Sequence, residues 1–433
     1  MILNFPLSIL NYFTTFLSFC RVLDERKNLL YHDVILLTGG MFMPFDFDTV
    51  IERRGSGSAK YDYIARNGYP EDTLPMWIAD MDFQVAPCIT EALKNQAEHG
   101  IYGYGFPTDR YFKAVQNWFS ARFGWEIQRD WMVFSPGVVF ALATAVRVTT
   151  QPGEAVLITP PVYYPFYNVI RNNGRTLVES PLRYEGGRYS IDFADFEEKI
   201  VDNNVKLFIL CSPHNPICRV WTPDELARIG EICHRHGVKV VSDEIHCDFT
   251  WPGFTHTPFL MACPDMADST IACTAPSKSF NLAGLQTSNI IIPGATLREA
   301  WMQEMTRINY HHPGNPGLAA CQAAYEGGAQ WLDECIAYMH GNLCYMRDFL
   351  KENIPQIKLV EPEGTYFAWL DCSGLGLTPE ALDELVLQKA HLWLDGGSMF
   401  GSFSGQFQRV VLACPRKIVA EALNRLKAAV AEL

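Results

Sequence analysis

The chain has 433 residues, of which 48% are apolar and 19% charged, and its formal net charge is −13. That length supports two domains with a sizeable core, and the composition is that of a globular protein. The acidic balance and the lack of a long basic run exclude nucleic acid as the expected partner, because phosphate binding needs clustered Lys and Arg. Thirteen cysteines are scattered from Cys20 to Cys414 without a C-x-x-C pair, which suits reduced thiols in a cytoplasmic protein better than a disulfide framework.

Residues 1–20 carry no charge, yet they contain Asn4, Pro6, Ser8, Asn11, Thr14, Thr15 and Ser18 and have no basic n-region, so no membrane association is expected. Residues 1–43 read as an extension from a wrongly assigned start, a membrane anchor or an ordered arm being the alternatives. From about residue 86, helix and strand patterns alternate. PCITEALKNQAEHG and PTDRYFKAVQNWFSARFG predict amphipathic helices, the second closed by Gly124. Short apolar runs follow: WMVF (131–134), AVLIT (155–159), LFIL (207–210), VKVVS (238–242), TIACT (270–274) and NIIIP (289–293). Strands apolar on both faces belong to a parallel sheet covered by helices, with ligands at the carboxyl ends of the strands. After about residue 325, long helical stretches, IKLVEPEGTYFAWLD, QRVVLACP and a closing helix predict a smaller α+β region. The expected division is a large α/β domain at 86–325 and a small domain from 44–85 plus 326–433.

Five motifs sit at predicted strand ends. Ser135-Pro136-Gly137-Val138-Val139 opens a helix, where free backbone amides and the helix dipole favour an anion such as phosphate; taken alone it also reads as an ordinary strand-to-helix turn. Tyr163, in Pro161-Val162-Tyr163-Tyr164-Pro165, offers a ring for stacking on a flat heteroaromatic, or simply packs the turn. Asn215, in Cys211-Ser212-Pro213-His214-Asn215-Pro216, can donate to a phenolate-like oxygen. Zinc on Cys211, His214 and Cys218 is not expected, because no paired element completes four ligands, and no other metal site is expected. Asp243, in Ser242-Asp243-Glu244-Ile245-His246, is costly at a buried strand end unless paired; a protonated pyridine nitrogen would be such a partner, a cap the plainer role. Lys278, in Ala275-Pro276-Ser277-Lys278-Ser279-Phe280-Asn281, would become a carbonyl nucleophile if desolvated. Together, with a crossover unit between successive members, the motifs form an ordered set: phosphate turn, aromatic, Asn, Asp, Lys.

That set resembles the fold-type I pyridoxal 5′-phosphate (PLP) enzymes of the class I/II aminotransferase superfamily, and within it the cystathionine β-lyase-like branch of MalY/PatB-type carbon–sulfur lyases. The resemblance covers about residues 44–433 and includes LPMWIADMDF (74–83), SPGVV (135–139), PHNP (213–216), SDEIH (242–246), HTPF (256–259), APSKSFNLAGLQ (275–286), TYFAWLD (365–371) and QRVVLACPR (408–416). It implies an α/β, mostly parallel fold with PLP joined to Lys278 as a Schiff base. Lys278 would also act as the base, Asp243 would pair with the pyridine nitrogen, Asn215 would bond the ring oxygen and Tyr163 would stack on the ring. Gly137, Val138 and Val139 would hold the phosphate, with Ser277 and His246 as further cofactor contacts. Tyr104 would reach the neighbouring subunit's phosphate, implying a homodimer with shared sites. Arg409 would bind the substrate α-carboxylate beside Ala79 and Asp80, and Tyr164 would assist elimination. Phe140, Cys218 and Val411 depart from the branch pattern; a side chain at 218, where the pattern places glycine, implies backbone strain.

The expected activity is β-elimination from a small sulfur-containing amino acid, giving a thiol, pyruvate and ammonia. An aminotransferase using the same residues is the first alternative. A non-catalytic regulator on the same fold is the second; the intact Lys278, Asp243, Asn215 and Arg409 argue against it, and no helix-turn-helix segment is apparent.

Overall fold

The computed structural model describes residues 45–433, and the expected extension at 1–43 lies outside them. The two helices predicted first form as α1 (Pro87–His99) and α2 (Asp109–Phe123). Thr108 caps α2 by accepting from the Tyr111 amide, and Gly124 ends it at φ 68°, a left-handed turn that glycine takes without strain.

A seven-stranded sheet follows, built from β1 (Met132–Ser135), β2 (Ala155–Ile158), β3 (Thr176–Glu179), β4 (Leu207–Cys211), β5 (Lys239–Asp243), β6 (Thr270–Thr274) and β7 (Ser288–Ile291). Its order is β1-β7-β6-β5-β4-β2-β3. Neighbours are parallel except at β7, which runs antiparallel to both β1 and β6. All six predicted strands form, with small shifts at their ends. The seventh, β3, is an addition: an edge strand whose sequence, TLVE, is too short of apolar residues to stand out.

The continuous apolar runs have a simple cause. Along β4, Leu207, Ile209 and Cys211 enter one hydrophobic cluster while Phe208 and Leu210 enter another on the opposite face. Both faces are covered, so alternation with polar residues is lost. Among the covering helices are α3 (Val138–Thr149) and α4 (Pro223–Arg235).

A second, antiparallel sheet contains β8 (Lys358–Val360), β9 (Phe367–Asp371), β10 (Asp395–Gly396) and β11 (Phe407–Val411), in the order β8-β9-β11-β10. Helices α5 (Ala329–Asn353) and α6 (Arg416–Val430) accompany it. The segment from Leu74 to Asp82 is bonded to this region: the Met76 amide donates to Trp393 O at 2.8 Å and the Asp82 amide to Ala413 O at 2.9 Å. Phe47–Leu433 form one compact unit, and among the described residues no helix is long and apolar enough to cross a membrane.

A charge network fixes the same segment. Arg53 bonds Asp80 at 2.8 Å and Asp82 at 2.6 Å, and Lys60 Nζ bonds Asp82 at 2.7 Å. Lys60 is 1% exposed. Burial works against its charge, but Asp82 and Asp80 outweigh that and hold the ammonium above its ordinary range. Lys60→Met leaves Asp82 buried with one cation fewer. The expected loss is about 3 kcal/mol of stability, read as a lower urea midpoint at unchanged slope.

Candidate active site

Five of the parallel strands end on one rim of the sheet, and the loops leaving them enclose a cavity of about 330 Å³. From β1 come Gly137 and the first helical residues Val138 and Val139; from the turn after β2 comes Tyr163; beyond β4 lies Asn215. The end of β5 supplies Asp243 and His246, and the loop after β6 supplies Ser277 and Lys278. Ala79 closes the wall from the amino-terminal segment. Register aligns the rim: Asp243 lies opposite Cys211 on one side and Cys273 on the other.

Lys278 Nζ donates to Ala79 O at 2.6 Å. Burial lowers its pKa to about 8; the Arg409 charge acts the same way, against Asp80 and Asp243. Asp243 is 4% exposed, and among the described residues its Oδ1 accepts only from the Ile245 amide, at 3.2 Å. Burial raises it to about 7. Buried His246 has an Nδ1 without a partner among the described residues, and burial holds its imidazole neutral. Asn281, at φ 56°, locks the lysine loop in place: its Oδ1 accepts from the Met81 amide and its Nδ2 donates to Met81 O and Phe83 O.

Arg409, on β11, reaches the site from the second sheet. Its Nη1 donates to Asn215 Oδ1 at 2.8 Å, which leaves the Asn215 Nδ2 as the group able to donate into the cavity. Its Nη2 donates to Trp77 O at 2.8 Å and to Asp395. Arg409 does not itself line the cavity, and neither do Asp80, Tyr164 or Tyr104. Asp80 belongs to the Arg53 and Lys60 network. Tyr164 follows Tyr163 and packs edge-on against Phe400, with ring centroids 6.0 Å apart. Tyr104 is 108% exposed and lines a separate open cleft.

Sequence reasoning did not single out Tyr366, Asp395, Gln286, Thr287 or Ser288. Tyr366, fully buried, shares Ala79 O with Lys278, its hydroxyl donating at 3.1 Å. Gln286, Thr287 and Ser288 line the cavity beside Gly137. The departures are also placed. Phe140 lies on the cavity wall, and Val411 pairs with Phe367 across the second sheet. Cys218 stands at φ 59°, and its carbonyl accepts from the Glu363 and Gly364 amides at 2.8 and 3.0 Å. A side chain in that conformation costs roughly 1–2 kcal/mol. His214 Nε2 is hydrogen-bonded to Pro161 O at 2.9 Å, and among the described residues no cluster of His, Cys, Asp and Glu could hold a metal.

The lining fits PLP. Asp243 is a buried carboxylate short of a cation, which a pyridinium nitrogen would supply. A side chain at Gly137 would meet only Gln286 Oε1, at 3.9 Å, so it would project into open cavity; the backbone is extended there (φ 173°), and the glycine serves to leave room rather than to turn the chain. The amides that open α3 present the positive end of a helix where a phosphate would sit.

The profile described as "Aminotransferase class I and II" matches residues 72–426. "Cystathionine beta-lyase PatB" of Bacillus subtilis is 42% identical over 384 residues, covering 89% of this chain and 99% of its own. Cystalysin from Treponema denticola, whose crystal structure contains a PLP cofactor, superposes with a TM-score of 0.87 at 39% identity, covering 90% of this chain and all of that one. The PLP-bound C–S lyase from Staphylococcus hominis does so with a TM-score of 0.84 at 33% identity, over 90% and 100% of the two chains. With the profile spanning most of its length and relatives matched nearly end to end, the chain belongs to the class I and II aminotransferase family.

Proposed function

We propose that this protein is a PLP-dependent carbon–sulfur β-lyase, which with one water cleaves cysteine S-conjugates such as cystathionine to a thiol, pyruvate and ammonia. The observation that carries the reading is the meeting, in one cavity, of Lys278, its amine eased toward the neutral form, with the unpaired carboxylate of Asp243. The likeness to PatB, cystalysin and the Staphylococcus hominis C–S lyase supports elimination as the outcome.

In this reading Lys278 Nζ holds the cofactor and Asp243 keeps its ring nitrogen protonated. Asn215 Nδ2 donates to the ring oxygen, Tyr163 stacks on the ring, and His246 packs within the same shell. The amides of Gly137, Val138 and Val139, with Ser277, take the phosphate. When bound, PLP supplies an electron sink that acidifies the substrate Cα–H. Lys278 takes that proton, its Nζ oriented by Ala79 O. Arg409 orients the substrate carboxylate, with the backbone at Ala79 and Asp80 alongside. Burial raises the Tyr164 hydroxyl, which keeps it protonated and able to donate toward the departing sulfur as the Cβ–S bond breaks.

We assign the protein to the cytoplasm as a homodimer with shared sites, the partner's site receiving Tyr104. The exposed Ile101, Tyr102, Tyr104 and Phe106 support such a contact, as one short stretch of uncovered apolar side chains. We also propose the division into a large domain at 86–325 and a small one from 44–85 plus 326–433, the two sheets being their cores. Neither a membrane nor a nucleic acid is needed as a partner. An aminotransferase is the second reading, favoured by the family description and by the likeness to a "PLP-bound putative aminotransferase from Clostridium difficile", 40% identical with a TM-score of 0.87.

Purified protein with PLP and no keto acid is expected to release pyruvate and ammonia steadily from L-cystathionine and L-cystine, and Lys278→Ala to release none. Turnover that appears only once 2-oxoglutarate or pyruvate is added would replace the lyase with the aminotransferase. Asp243→Asn removes the charge that holds the ring nitrogen protonated; kcat is expected to fall by at least about a hundredfold while the fold persists. The lysine also sets a pH dependence. A depressed pKa makes the neutral amine available at lower pH, so PLP uptake by the apoprotein should rise with pH and level off just above about 8. A rate still climbing toward the ordinary lysine range, followed by visible absorbance in stopped flow, would contradict this.

A further inference from the structure

Asp395 and Arg409 are direct cross-strand partners, opposite each other where β10 pairs antiparallel with β11. Side chains so placed meet across the pair, and Asp395 Oδ2 accepts from Arg409 Nη2 with both side chains 3% exposed. The guanidinium is also held by Asn215 Oδ1 and Trp77 O and lies over the rings of Phe367 and Phe400. Its Nε is buried and has no partner among the described residues. The cation assigned to the substrate carboxylate therefore already carries a carboxylate of the protein's own, fixed by backbone register, with three of its five N–H groups engaged among the described residues.

We propose that Asp395 is a specificity-determining residue: it competes with the substrate α-carboxylate for Arg409 and limits how tightly the site holds an amino acid by that group alone. The inference rests on the reading of Arg409 as the carboxylate binder. An incoming carboxylate must share the guanidinium with a like charge or displace it, and either reduces the net attraction. An S-conjugate offsets this through contacts made by its longer side chain. A small amino acid with nothing beyond Cβ has no such compensation, so the pair filters ligands by what lies past the carboxylate.

The test is L-alanine binding to the holoenzyme, followed by its visible spectrum. Asp395→Asn is expected to bind L-alanine roughly tenfold more tightly than wild type, and Asp395→Glu, which keeps the charge, no more tightly. A residue of purely structural importance would show the opposite sign, with weaker binding in the Asn variant. Binding by Asp395→Asn that is unchanged or weaker, while Arg409→Ala abolishes it, overturns the inference alone. Binding that survives Arg409→Ala overturns the assignment of Arg409 itself. Should Asp395→Asn fail to fold, wild type decides: its preference for L-alanine over L-alaninamide is expected to stay below about tenfold, and a larger preference overturns the proposal.

Discussion

Asp243 and Lys278 stand at the rim of the seven-stranded sheet in one cavity without bonding each other, and the chemistry of the site depends on that separation. Asp243 has one amide for company, and Lys278 rests on a backbone carbonyl rather than on a carboxylate. Had the two been in direct contact, each would have stabilised the other's charge, leaving a firmly protonated amine and a carboxylate with no need of a further cation. Holding them apart within one cavity keeps both poised: burial moves Lys278 down to about 8 and Asp243 up to about 7. The parallel register permits this, since it fixes strand ends to within a residue of one another.

The second sheet and the amino-terminal segment serve that rim. Ala79, which accepts from both Lys278 and Tyr366, is followed by Asp80 and Asp82, and these are anchored by Arg53 and Lys60. Asn281 ties the far end of the lysine loop to Met81 and Phe83. Arg409 in turn orients the Asn215 amide. A local alteration in the charge network therefore reaches the amine through backbone hydrogen bonds.

The strand-end motifs were legible in the sequence because each is a consecutive run after an apolar stretch, so that strand, turn and functional side chain are read together. Asp243 and Lys278 stood out as charges where burial is expensive. Arg409 was legible only through resemblance, because its place depends on the pairing of β10 with β11. Asp395 and Tyr366 were missed for the same reason: neither neighbours another site residue in the chain. The strain anticipated at position 218 did follow from the sequence, since Cys218 adopts the positive φ that a glycine would have taken freely. Tyr104 lies apart from its own chain's cavity. Residues 1–43 lie outside the described part of the chain.

The reversal of β7 has a topological consequence for the lysine. A parallel strand after β6 would have needed a crossover carrying the chain to the opposite edge before it re-entered the sheet. Because β7 is antiparallel, the chain leaves β6 and re-enters the sheet at the same rim, and residues 275–287 form a closed arch with both feet in the cavity wall. Lys278 stands near one foot, and Gln286, Thr287 and Ser288 form the other. An arch anchored at both feet has little freedom to lose when a ligand enters, so the amine is presented from a support whose ordering was already accomplished in folding.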